Sequence, residues 1–342
     1  MKLIRTEDAV GHVLCHDMTR IVKGVSKGPA FRKGHVVAPE DIPVLLSMGK
    51  ENLYVWEKEP GMLHENEAAE ILYQICAGGA ENLVPSEVKE GKIEVSAGED
   101  GLLLIDTDRL QKLNSLGELM IATRHGHQAV RKGDKLAGTR IIPLVIRAEK
   151  MEAARAAAGD KPLLELRPFR PRKVAIVTTG SEVQKGLITD TFTPVLEEKV
   201  GEYGCQVMGH VCPGDDPAAI TAAILDYKAQ GAELILCSGG MSVDPDDRTP
   251  LAIKNTGARV VSYGAPVLPG AMLMVAYLDG VPVAGLPGCV MYAKRTVFDL
   301  VLPLFLAGVP VRLEDLAAMG HGGLCLNCEV CTYPNCGFGK GW

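Results

Sequence analysis

The rhythm of apolar and polar positions changes partway along the chain. From Lys173 onward, short uncharged runs alternate with segments of helical period. Val174–Thr178 is a brief, mostly β-branched run without charge, the pattern of a strand buried on both faces. Pro194–Tyr203 reads as a helix closed by Gly204, and Cys205–Val211 as a second strand. Asp215-Asp216-Pro217 opens a helix through Gln230, with proline in its first turn and Gly231 just past its end. Leu234–Cys237 is a third strand, and Asp279-Gly280 predicts a hairpin between Met272–Tyr277 and Val281–Ala284. Met291–Leu306 reads as a long amphipathic helix. Such alternation predicts an α/β domain of three layers, a mostly parallel sheet between helices, with ligands bound at the carboxyl ends of the strands.

The first 150 residues have a mixed α+β pattern. Ala38-Pro39-Glu40-Asp41 starts a helix whose Ile42, Leu45 and Leu46 share a face, and Gly49 closes it. Leu53–Trp56, Leu102–Ile105 and Ile141–Ile146 read as strands. Glu149–Ala158 is alanine-rich and helical in pattern, and Arg167-Pro168-Phe169-Arg170-Pro171 is stiff and non-helical. The expected organisation is an N-terminal mixed domain (1–150), a linker (151–172), an α/β domain (173–308) and a C-terminal tail (309–342).

Composition narrows the function. An apolar fraction of 47% and a charged fraction of 23% are those of a globular protein. The formal net charge of −6 and the lack of a basic run exclude nucleic acid as an expected partner. Arg5, Glu7 and Asp8 stand where a signal peptide needs its apolar stretch, and Val297–Val311 is broken by Asp299, Pro303 and Pro310. The expectation is a cytoplasmic protein with no membrane span.

Three loops after the predicted strands carry the candidate chemistry. Thr178-Thr179-Gly180-Ser181-Glu182 surrounds a glycine with small hydroxylated residues, which lets backbone approach an anion, although ordinary strand-to-helix turns share that composition. Ser238-Gly239-Gly240-Met241-Ser242-Val243-Asp244-Pro245-Asp246-Asp247 follows a buried strand with two glycines and then three acids. The glycines permit close approach to a ligand; an acid can accept from a pterin ring or hold Mg²⁺ against a phosphate, or only cap the helix near Thr249. Leu286-Pro287-Gly288 is the third loop. Asp190 precedes the Pro194 helix, where capping and ligand contact are both open.

Together these motifs resemble, in order and spacing, the molybdopterin-binding domain shared by molybdopterin adenylyltransferases and molybdopterin molybdenumtransferases. Thr179-Gly180-Ser181-Glu182, Ile188-Thr189-Asp190-Thr191, Ser238-Gly239-Gly240 with Asp247-Arg248-Thr249-Pro250, and Leu286-Pro287-Gly288 carry the likeness over Lys173–Leu306. Phe31–Trp56 looks like the segment preceding that domain in the transferases. The resemblance implies a sheet of the molybdopterin-binding type and a ligand that is molybdopterin, its adenylylated form or molybdenum cofactor. It implies binding by Thr179, Gly180, Ser181, Glu182, Ser238, Gly239, Gly240, Ser242, Asp244, Pro287 and Gly288. Asp190 and Asp247 would be the catalytic acids, with Mg²⁺, if the chain is a molybdenumtransferase; self-association is a further implication.

The sequence also departs from that family. Val267, Ala271 and Met272 stand around Pro269-Gly270 where lysines are usual, and none can neutralise molybdate or phosphate. Cys289-Val290 replaces Asn-Pro after Leu286-Pro287-Gly288, and Phe192 stands where Asn is usual. The transferase's N-terminal Met-Asp-Gly-Tyr element and C-terminal small β domain are not found. Two readings follow: a pterin carrier, chaperone or regulator serving molybdenum or tungsten enzymes, and an active molybdenumtransferase. A different nucleotide-binding protein is the remote third, since no Walker or G-x-G-x-x-G pattern follows a strand.

The chain has ten cysteines, and four crowd its end: Cys325, Cys328, Cys331 and Cys336, spaced C-x2-C-x2-C-x4-C. In a reducing compartment this points to metal, either an iron–sulfur cluster or Zn²⁺. The surrounding glycines predict a short metal-binding tail with no core of its own, folded by its metal.

Overall fold

The computed structural model describes residues 2–22, 26–55, 60–242 and 248–341. Two compact units emerge. The first comprises Met1–Gly98, Asp106–Arg124 and Lys135–Leu164; the second comprises Glu99–Ile105, His125–Asp134 and Glu165–Trp342. The division is therefore not a single cut, because two short pieces from the N-terminal half belong to the second unit. The stretch expected as a linker carries the end of a helix, Ala148–Ala158, in the first unit and a strand, Leu164–Pro168, paired into a three-stranded sheet with 101–105 and 128–130.

In the first unit an antiparallel sheet runs in the order 83–85, 92–97, 135–141, 119–123, and helix Glu65–Ala77 packs on it. The helix buries Ala68, Ala69, Leu72 and Cys76; the strands bury Ile93, Val95 and Ile121. The expected Ile141–Ile146 strand is two strands, Lys135–Ile141 and Val145–Arg147, parted around Pro143, which has no amide to donate to a ladder.

The second unit is built on six strands: β1 (Lys173–Thr178), β2 (Gln206–Val211), β3 (Leu234–Ser238), β4 (Arg259–Tyr263), β5 (Met274–Leu278) and β6 (Val281–Leu286). Their order is β2-β1-β3-β6-β5-β4. The first four positions are parallel, and β5 and β4 are antiparallel. Asp279 and Gly280 both have positive φ, 47° and 85°, as the tight β5–β6 hairpin requires.

Alternation along β1 separates two cores. Val174 and Ile176 join one with Leu196 and Val200 of helix α1 (Phe192–Gly201). Ala175 and Val177 join the other with Ile220 and Ile224 of helix α2 (Pro217–Ala229) and Ile253 of helix α3 (Thr249–Asn255). Helices cover both faces, which gives the three layers. Because both faces are covered, the central strands are apolar throughout and not alternately polar.

The segment Met291–Leu306 is not one helix. A short turn occupies Gly288–Met291, and helix α4 runs only over Val297–Leu306. The Thr296 hydroxyl accepts from Phe298 N while Asp299 accepts from Thr296 N, a capping box that fixes the start at 297. All ten residues of α4 are buried, so the helix lies inside the unit and is not amphipathic. Among the described residues no helix is long and apolar enough to cross a membrane.

The cysteine-bearing end also differs from expectation, since it borrows a core. Phe338 is buried in the α4 cluster, with Tyr333, Cys325 and Cys336 packed against it. Cys325 N donates to Leu268 O at 2.8 Å and Leu268 N to Gly323 O at 2.8 Å. Apolar side chains therefore give this segment a share in the α4 core.

The β1 side chains Val174, Ala175, Ile176 and Val177 are fully buried. Ile176→Ala is expected to lower the unfolding free energy by about 2–5 kcal/mol, through lost transfer energy and the cavity left behind. Urea denaturation of both proteins measures it.

Candidate functional site

Register brings the three loops to one edge. Thr178 of β1 pairs with Ser238 of β3, and Ser238 with Leu286 of β6, so the three strands end in one row. A pocket of about 350 Å³ opens beside that row, within the range typical of small-molecule sites. Thr179, Gly180, Glu182, Asp190, Asp215 and Gly240 line it, with Met291 from the turn after β6.

A polar network shapes one wall. Asp190 accepts from the Phe192 and Thr193 amides at 2.8 and 3.1 Å and from the Thr193 hydroxyl at 2.5 Å. Its carboxylate thus satisfies the first amides of α1. His210 Nε2 lies 3.3 Å from the same carboxylate and 3.1 Å from the Thr178 hydroxyl. Burial pulls the Asp190 carboxyl upward, but the donors from Thr193 and Phe192, together with His210, outweigh it and hold it below the usual carboxylate range. Ser181 N donates to Asp215 Oδ2 at 2.7 Å, which ties the first loop to the start of the β2–α2 connection. Asp216, not Asp215, caps α2, through Ala218 N at 3.1 Å.

The sequence candidates divide by depth. Thr179, Gly180, Glu182, Asp190 and Gly240 reach the pocket. Ser238 is fully buried beneath it, its hydroxyl 3.4 Å from that of Thr178. Gly239 faces the other loop: a Cβ there would sit 2.5 Å from Thr179 O, and φ is +84°. Gly240 has φ +54°, and its Cβ would lie 2.9 Å from the Thr249 hydroxyl. The paired glycines therefore let two loops nest, and Gly240 also lines the pocket. Ser242 is exposed, its carbonyl accepting from Tyr263 OH at 3.3 Å. Pro287 is buried and Gly288 exposed, and Met291 is what the third loop contributes to the pocket. Trp56, Asp244 and Asp247 lie outside the described residues. His210 and Asp215 went unrecognised in the sequence because one sits at a strand end and the other in an apparent cap.

Pro269-Gly270 packs on α4. A Cβ on Gly270 would meet Val297 at 2.5 Å, and Val267 is fully buried.

The four tail cysteines lie apart from this pocket. All are free thiols, Cys328 and Cys331 exposed and Cys325 and Cys336 half-buried. Among the described residues no group of three or more His, Cys, Asp or Glu is close enough to hold a single metal ion.

Comparison with known proteins agrees with the loops. Residues 175–307 match the family described as a probable molybdopterin binding domain, and residues 3–57 match a domain of unknown function. A molybdopterin molybdenumtransferase of Synechococcus elongatus is 27% identical over 163 residues, 45% of this chain and 38% of that protein. Molybdopterin molybdenumtransferase 2 of Mycobacterium tuberculosis is 28% identical over 278 residues, 75% of this chain and 66% of its own length. A CinA-like protein of Mycolicibacterium vanbaalenii is 39% identical over 79 residues, 22% of this chain and 18% of that one. The chain thus spans 38% of the Synechococcus relative's length. The resemblance read from the loop sequences holds over the matched domain.

Asp190→Asn tests the wall of the pocket. Losing the negative charge at the start of α1 is expected to cost about 0.3–1 kcal/mol near neutral pH. A carboxyl held below its unfolded value of 3.8 contributes stability above that pH and loses it as pH falls through the folded value. Thermal unfolding of both proteins across acidic pH should therefore show the gap closing below about pH 4.

Proposed function

We propose that this protein binds molybdopterin or molybdenum cofactor in the cytoplasm and acts in the biosynthesis, delivery or regulation of that cofactor. The observation that carries the reading is the convergence of the loops after β1 and β3 and the turn after β6 on one pocket at the carboxyl edge of the sheet. The matched domain and the names of the relatives support it.

The pocket's chemistry favours holding a pterin over transferring molybdate. Acids line it, Glu182, Asp190 and Asp215, and carboxylates accept hydrogen bonds from the amino and ring N–H groups of a pterin. An anion such as molybdate instead calls for cations, and Val267, fully buried, stands in one of the places where lysines are usual. For Mg²⁺, one or two carboxylates with substrate phosphates suffice. Asp190 is occupied by its own loop's donors, so Glu182 and the second Asp215 oxygen fit that role among the described residues. Bound Mg²⁺ would neutralise a phosphate there, while Asp190 and His210 keep the wall in shape. Self-association and docking to a molybdenum or tungsten enzyme belong to the same proposal, as does a metal on the four tail cysteines, iron–sulfur or zinc.

Purified protein incubated with adenylylated molybdopterin, molybdate and Mg²⁺ separates the alternatives. The proposal expects tight binding of the pterin with no release of AMP, and weaker binding by Glu182→Gln. AMP release that disappears in Asp247→Asn would instead make the chain a molybdenumtransferase, and no binding at all would end the pterin reading.

A further inference from the structure

Cys325, Cys328, Cys331 and Cys336 all line one cavity of about 570 Å³, together with Lys294 and Arg295. A single bound water needs on the order of 10–15 Å³, so this cavity has room for a body of many atoms. Its walls are held in place. Lys294 Nζ donates to Glu329 O at 2.8 Å, and Tyr333 OH to Asp299 O at 3.1 Å. The Arg295 guanidinium sits 5.1 Å from the Tyr333 ring centre, and Gly339 N donates to Gly322 O at 3.0 Å.

A zinc ion gathers four thiolates around one point at about 2.3 Å each. A cubane cluster gives each thiolate its own iron, so the four can stand apart around a shared space. The C-x2-C-x2-C-x4-C spacing is near the bacterial iron–sulfur run, in which the fourth cysteine can serve a second cluster. Here all four face the same cavity, so one cluster satisfies them. Lys294 lines the same space, and Leu324, Leu326, Tyr333 and Phe338 supply an apolar lining.

We infer that Cys325, Cys328, Cys331 and Cys336 bind a [4Fe–4S]-type iron–sulfur cluster in this cavity, each thiol giving up its proton on ligation. The inference deepens the metal-tail part of the proposed function and does not depend on the pterin. Its location matters, because Met291 lines the pterin-side pocket while Tyr292–Arg295 line the cluster cavity, so one short segment forms a wall of both.

The full chain, kept anaerobic, would be incubated with iron, sulfide and dithiothreitol, and in parallel with Zn²⁺ alone, then desalted. The expected result is iron and acid-labile sulfide retained in equal amounts with broad visible charge-transfer absorption. Both should be lost from a Cys328→Ser/Cys331→Ser variant whose circular dichroism is unchanged; these two side chains are exposed, so the variant should fold. Retention of zinc without uptake of iron and sulfide, retention of neither, or equal iron uptake by the variant would each overturn the assignment. None of these readouts involves pterin, so failure here leaves the pterin assay to be decided separately.

Discussion

The parallel pairing of β1, β3 and β6 is the constraint on which the rest of the second unit depends. Thr178, Ser238 and Leu286 stand in register, so three loops far apart in sequence leave the sheet side by side. Parallel strands can only be joined by crossovers, and the helices that make them cover both faces of the sheet. The strand cores are consequently apolar, and polar chemistry is confined to the carboxyl edge. There the loops lock to one another: Thr179 against Gly239 and Gly240, Ser181 N to Asp215, and Asp190 to α1 and His210. The pocket is the space those locks leave.

A second interaction ties that edge to the C-terminal segment. Lys199 of α1 meets Asp299 of α4 at 2.6 Å with both side chains buried. Such a pair holds only where the remaining acceptor positions are also used. They are, because Arg295 donates to the same oxygen at 2.8 Å and Thr296 N to the other at 2.7 Å. Arg295 in turn stacks over Tyr333, whose hydroxyl donates to the Asp299 carbonyl. One buried carboxylate therefore positions α1, the start of α4 and the cysteine-bearing loop together.

Much of this was legible before the structure, for identifiable reasons. Uncharged β-branched runs such as Val174–Thr178 mark strands covered on both faces, and Asp279-Gly280 marks a hairpin whose φ values only such residues tolerate easily. Thr179, Gly180, Glu182, Asp190 and Gly240 line the pocket at the strand ends, and they could be singled out because they immediately follow or precede those elements. What stayed hidden depends on tertiary contact. Nothing local reveals that Gly239 faces Thr179, that Asp215 holds Ser181, or that His210 reaches Asp190. The true start of α4 is set by a Thr296–Asp299 capping box, a pattern masked by the apolar run around it. The tail looked coreless because its two anchors, Tyr333 and Phe338, pack on residues distant in sequence. The interleaving of 99–105 and 125–134 into the second unit is likewise a pairing of strands that no composition change announces.

Hydrogen–deuterium exchange with and without bound molybdopterin measures the central claim most directly. If the three strand ends form one site, protection should rise together at residues 178–182, 238–240 and 286–291 while the outer strand β4 is unchanged. Protection confined to one of these loops, or appearing only in the first unit, would contradict it.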